Sequence, residues 1–166
     1  LTSGSIFNAL PSNQYSDVTT YFNGSGDPDL DSLIHRTDPN TNSYDATAIE
    51  FDFTPLFTSV SFDYVFASDE YEEFVCSEFN DVFGFFISGP GISGGFSNNA
   101  INIARIPNTN IEVAINAVND GCENPPDSRH STDYCDFWGP CSASYSQYFN
   151  ANPPASTYHE YDGYTD

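Results

Sequence analysis

Along the middle of the chain, apolar and polar residues alternate with a period of two. Ile49, Phe51 and Phe53 alternate with Glu50 and Asp52, and Val60, Phe62, Tyr64 and Phe66 alternate with Ser61 and Asp63. Successive side chains of a strand point to opposite faces, so this period predicts half-buried strands. Residues 82–87 (Val-Phe-Gly-Phe-Phe-Ile) are apolar on both faces, as in a central strand covered on both sides. Two further strand-like runs, 100–106 and 111–118, flank Pro107-Asn108-Thr109-Asn110, which reads as a hairpin loop. The Gly- and Pro-rich residues 88–95 read as a loop. One short helix is predicted from Pro28 through Ile34, with Asp27 as its N-cap and Pro28 at its first position. No long helical period occurs elsewhere. Closely spaced strands separated by turn signals predict an all-β fold, an antiparallel β-sandwich or jelly-roll-like domain with at most one short helix.

The texture changes over residues 121–166, where Pro, Ser, Asn, Asp and Tyr replace the alternation. This region reads as loop-rich, and unstructured connections of that length in a compact domain are commonly functional or pinned by crosslinks. Three of the four cysteines, Cys122, Cys135 and Cys141, fall there, and Cys76 lies upstream. An even number without the short Cys-x2-4-Cys spacing of a zinc site favours disulfides over metal, and so an oxidising compartment. The expected pairs are Cys135 with Cys141, closing a small loop around Trp138, and Cys76 with Cys122. Trp138 either anchors that loop to the core or offers a stacking surface. The length of 166 residues fits a single domain over 1–166.

Charge narrows the partners. The chain carries 24 acidic residues against three arginines and no lysine, a net charge of -21. That composition lacks the clustered basic footprint that neutralises phosphates, so no nucleic-acid partner is expected. Anionic membrane surfaces are disfavoured for the same reason. No run of 18 apolar residues is present to insert into a bilayer, and the first residues lack the basic and apolar regions of a signal peptide, so the chain reads as mature material. An aromatic content of 16% is far too high for a disordered acidic polypeptide. Self-repulsion opposes compaction, which gives bound divalent cations a direct stabilising role.

Two windows concentrate the acid: Asp27-Pro28-Asp29-Leu30-Asp31, and residues 68–73 followed by Phe79-Asn80-Asp81. Closely packed carboxylates suit Ca2+, which takes about 6 to 8 oxygen ligands. The candidate ligands are Asp27, Asp29, Glu70, Glu73, Asn80 and Asp81, with backbone carbonyls completing the shell. The first window is no EF-hand, because Pro28 occupies its second position and Ser32 replaces the glycine of the sharp turn. The competing reading makes Asp27 to Asp31 helix-terminal charge and residues 69–73 a solvated loop. His35, His130 and His159 are scattered and form no catalytic motif, so no enzyme is expected; a glycosidase using two clustered carboxylates is the weakest of the functional readings. Asn23-Gly24-Ser25 is an N-glycosylation triplet, and Asp31-Ser32-Leu33 resembles an O-glycosylation acceptor, making Asn23 and Ser32 candidate modification sites.

Four segments carry a family resemblance: residues 26–31 (Gly-Asp-Pro-Asp-Leu-Asp), 48–53 (Ala-Ile-Glu-Phe-Asp-Phe), 64–71 (Tyr-Val-Phe-Ala-Ser-Asp-Glu-Tyr) and 79–90 (beginning Phe-Asn-Asp-Val-Phe-Gly). In this order they resemble the choice-of-anchor L domain family, and residues 98–104 and 161–165 continue the likeness. The resemblance implies a secreted or surface protein of Bacteroidota-like bacteria, and so an extracellular or cell-surface location. It implies place rather than mechanism. Family sequences extend beyond both ends of this chain, so it reads either as a fragment or processed form of such a domain or as one whose outermost strands come from elsewhere. The reading that joins these observations is a non-catalytic structural or adhesive module, stabilised by calcium. It would self-assemble into a homopolymeric fibre by donor-strand exchange, with residues 1–10 or 158–166 as the donated segment. The alternative is a carbohydrate-binding module presenting Tyr145, Tyr148, Tyr158, Tyr161 and Tyr164 to glycans.

Overall fold

A computed structural model describes residues 1–13, 15, 18–36, 39–71, 74–77, 79–121, 143, 145–152 and 156–166. Its regular elements are small antiparallel sheets, one α-helix and short 3-10 turns. The chain is therefore mainly β.

The helix α1 (Pro28–Ile34) forms where the sequence places it. The Asp27 carboxylate accepts the backbone N–H groups of Asp29 (2.8 Å) and Leu30 (3.1 Å), and Pro28 fills a position whose N–H would go unused. Leu33 and Ile34 are buried, and α1 packs against β2 (Val82–Phe83). Gly84 permits this approach. A Cβ there would meet the Phe86 ring at 2.5 Å and Leu30 Cδ2 at 3.2 Å.

Three sheets follow. β1 (Ala67–Ser68) pairs with β7 (Gly163–Thr165), which also pairs with β6 (Phe149–Ala151), so the last strand of the chain is central. β2 pairs with β5 (Val113–Ala114), and β3 (Phe86–Ile87) pairs with β4 (Ile101–Asn102). The apolar run 82–87 thus serves two partners in turn, although it is half-buried rather than fully covered. The predicted hairpin is present: Arg105 bridges Glu112, the Ile106 N–H donates to the Ile111 carbonyl at 2.9 Å, and Thr109 Oγ1 donates to Ile106 O at 2.8 Å.

Two differences from the sequence reading are informative. Within the region read as loop-rich, residues 149–151 and 163–165 are strands, short and without alternation; 163–165 pairs with the distant β1, and 149–151 pairs with 163–165. Conversely, residues 49–53 and 60–65 form no ladder, although their rings are arranged like strand neighbours. Phe62 lies 4.7 Å from Phe85, Tyr64 lies 4.8 Å from Phe83, and Phe53 lies 6.2 Å from both Phe51 and Phe62. Phe62 with Phe85 and Tyr64 with Phe83 share one antiparallel register, so 60–65 lies along 82–87 by aromatic contact alone. Only at Phe66 does hydrogen bonding begin, its carbonyl accepting Thr165 N–H at 2.8 Å.

The best-packed cluster is Tyr71, Val75 and Ile115, covered by Phe66 and Phe149. Tyr71 and Phe149 pack with ring centroids 4.7 Å apart at a tilt of 46°, and Gly163 runs beneath them; a Cβ there would enter the Phe149 ring and come within 2.8 Å of Tyr71. Among the described residues no helix is long and apolar enough to cross a membrane.

Candidate functional site

The first acidic window is a hydrogen-bonding hub. Asp31 Oδ1 accepts both the Ser43 N–H and its hydroxyl, each at 2.6 Å, and these bonds lower the Asp31 pKa. Asp29 accepts the Ser97 N–H (2.9 Å) and hydroxyl (3.1 Å), tying the helix start to the residues before β4. With Asp27 serving as the N-cap, the helix-terminal role of this window is realised.

The second window leaves β1 and turns inward. Asp81 keeps solvent-exposed surface, accepts the Ser68 hydroxyl at 2.6 Å, and is pushed up in pKa by desolvation from the surrounding protein. Asn80 Oδ1 accepts the Asn116 N–H at 3.1 Å, while the Asn116 side chain accepts the Cys76 N–H and donates to Ser77 O at 3.0 Å. Glu70 is half-buried, with its N–H bonded to Ser68 Oγ at 3.0 Å. Glu73 lies outside the described residues. Among the described residues, no group of three or more His, Cys, Asp or Glu side chains forms a ready-made metal site.

Cys76 is disulfide-bonded. Cys122, Cys135 and Cys141, with Trp138, His130 and the pairing expected of them, lie outside the described residues. Asn23 sits in an exposed left-handed turn, and Ser32 is exposed on α1 with its hydroxyl donating to Pro28 O at 2.9 Å. His35 contacts Asn42 Oδ1 at 3.0 Å; His159 packs its ring 5.9 Å from Tyr161 and 5.4 Å from Tyr164. Of the five tyrosines proposed to face glycans, Tyr158 is 84% exposed and the other four are half-buried.

A third acidic group was not singled out from the sequence. The β1–β7 register pairs Ser68 with Gly163, and one residue further it sets Asp69 opposite Asp162. Asp69 is 9% exposed, and Asp162 and Glu160 are each 4% exposed. Burial above all, then the charges of Asp162, Glu160 and Glu70, raise the Asp69 pKa to about 8. The N-terminal segment lies over these acids: Asn13 Nδ2 donates to Asp162 Oδ1 at 2.8 Å, Tyr15 N–H donates to Glu160 Oε1 at 3.1 Å, and Val18 N–H bonds Asp69. The available signal was Glu160-x-Asp162, two acids on one face leading into a strand.

With this geometry in place, comparison with known sequences is decisive on one point. The choice-of-anchor L domain profile matches residues 1–166. The chain belongs to the choice-of-anchor L domain family. No curated protein and no solved structure gives a significant match. Membership points to a surface-associated, non-enzymatic module. This choice-of-anchor L domain matches its family over the acidic windows, the apolar run 82–87 and the terminal residues alike.

Proposed function

We propose that this choice-of-anchor L domain is a non-catalytic structural or adhesive module of the cell surface or extracellular space that assembles with copies of itself. The observation that carries the reading is the edge formed by residues 49–53. Ile49 is 70% exposed, Phe51 54% and Phe53 43%, on a segment with strand alternation and no strand partner among the described residues. An edge of this kind is a template for an added strand. The first ten residues supply a matching donor: Leu1, Ile6, Phe7 and Leu10 are all exposed, and release requires opening a four-residue 3-10 turn, Ile6–Ala9, and the Asn8 side-chain bonds to Val18 O and Thr20 Oγ1. The other candidate donor, residues 158–166, already contributes β7 to its own sheet.

Adding such strands would complete a sandwich-like single domain. Calcium, held by Asp27, Asp29, Glu70, Glu73, Asn80 and Asp81 where their side-chain oxygens remain accessible, would offset the net charge of -21, and disulfides would pin the loops. Light scattering and electron microscopy of the purified chain test the reading. The expected product is a fibre that is lost in Phe51→Asp; a monodisperse monomer at every concentration overturns it. The exposed ring of Tyr158 favours glycan binding as the second reading, and retention on a glycan array that disappears in Tyr158→Ala would establish it.

A further inference from the structure

We propose that the side-chain face made by Phe53, Leu56, Phe57, Phe62, Phe85 and Ile103 packs against the same face of a second copy of the chain. The contact rests on the reading that copies assemble and deepens it, because it uses side chains where strand addition uses the backbone edge of 49–53. Two observations carry it. The first is a continuous exposed stripe. The Phe53 and Phe62 rings lie 6.2 Å apart, Phe62 lies 4.7 Å from Phe85, and Phe85 O accepts the Ile103 N–H at 2.9 Å, which sets these four residues side by side. Leu56 and Phe57, 88% and 82% exposed, stand on the bend that joins Phe53 to Phe62. Phe53, Phe62 and Ile103 are exposed as well. A contiguous apolar surface of this kind marks a contact site.

The second observation is where charge is missing. Residues 53–62 and 82–104 contain no Asp, Glu, Arg, Lys or His, in a chain whose net charge is -21. The exposed Asp52 and Asp63 stand immediately outside the first segment. The α1 charges that touch the second, Asp29 on Ser97 and Arg36 over Phe96, do so at residues 96–97, outside the stripe. This distribution selects the occupant. A basic partner would be drawn to carboxylates and finds none on the stripe. A second copy is repelled by acids elsewhere on the surface, since like charges brought together across an interface are costly. Where two stripes meet, apolar rings are desolvated and the acids stay at the wet rim. One patch meeting itself is a two-fold contact that closes at the dimer, unlike head-to-tail strand exchange. In a fibre it joins filaments in pairs.

The test uses the full chain carrying Phe7→Asp, which spoils the donated segment and lies outside the stripe, with mass read by sedimentation velocity. This variant is expected to be a dimer that strengthens as salt is raised from about 0.01 M to about 1 M, because screening relieves repulsion between the acidic rims. Adding Leu56→Asp or Phe57→Asp, at positions too exposed to disturb folding, is expected to return it to monomer; adding Tyr158→Asp, equally exposed and not part of the stripe, is expected to leave the dimer intact. Without Phe7→Asp, the Phe57→Asp chain is expected to form single, unpaired filaments. A Phe7→Asp chain that is monomeric at every concentration and salt, while wild type still forms fibres, overturns the stripe contact and spares strand exchange. A dimer that survives both Leu56→Asp and Phe57→Asp overturns it too, and a wild type that is monomeric throughout overturns both readings.

Discussion

Asn80 and Asn116 clasp each other across the end of the second acidic window, the Asn116 N–H donating to Asn80 Oδ1 at 3.1 Å. The same Asn116 uses its side chain to hold Cys76 and Ser77, so one residue after β5 fixes both ends of the 76–80 turn. Replacing Asn116 by Ala removes an acceptor and a donor from partly buried backbone groups. A loss of about 1 to 3 kcal/mol is expected. Urea unfolding monitored by tyrosine fluorescence measures it, and Asn116→Asp, which keeps the acceptor, is expected to lose less.

Gly163 lies where the Tyr71 and Phe149 rings close over the central strand. A methyl group there forces one of the two rings aside. Overpacking of this kind costs about 1 to 3 kcal/mol, so Gly163→Ala is expected to lower the Tm measured by calorimetry.

The helix cap separates two roles of one carboxylate. Asp27→Ala is expected to cost about 1 kcal/mol through loss of the bonds to Asp29 and Leu30 N–H, whereas Asn caps helices about as well as Asp. Chemical denaturation of both variants without calcium tests this. An Asn variant that retains stability but loses part of the calcium response would assign Asp27 a ligand role as well.

The buried acids set the pH dependence. Asp69 titrates at about 8 in the native state, raised first by burial and then by Asp162, Glu160 and Glu70. An unfolded Asp titrates near roughly 3.9, so between these values the native state holds more protons and stability falls as pH rises. Asp81, raised by desolvation although it keeps exposed surface, acts in the same direction. In chelator, the urea midpoint is expected to drop from pH 5 to pH 8 and then level off, with a shallower slope in Asp69→Asn. A midpoint that climbs over this range would contradict the assignment.

The parts of the fold governed by local chemistry were legible in the sequence. Asp27-Pro28 specifies a helix start within three residues, and Pro107 to Asn110 closes a hairpin through the Thr109 hydroxyl, so neighbours suffice to read both. Alternation at 49–66 shows which side chains share a face, but it cannot show whether a partner backbone is present. β7 carries almost no signal of its own, because it pairs with the distant β1, Tyr164 opposite Ala67, and β6 then forms against β7. The cluster at Asp69 was hidden for the same reason: only the register of β1 on β7 brings Asp162 across from it. Local density marks the two acidic windows, whereas the most tightly confined acids, Asp69 with Glu160 and Asp162, are far apart in sequence.

The ring pairs that hold 60–65 along 82–87 have a consequence for growth. They occupy one flank of this segment and leave 49–53 as the outer flank. If residues 1–10 of a neighbour fill that flank, every finished fibre has one terminus showing an unfilled acceptor and another showing an unused donor. Elongation is then directional, and the two termini can be blocked by different agents. A synthetic peptide of residues 1–10 would cap the acceptor terminus at ratios far below one per subunit, shortening fibres without dissolving those already formed.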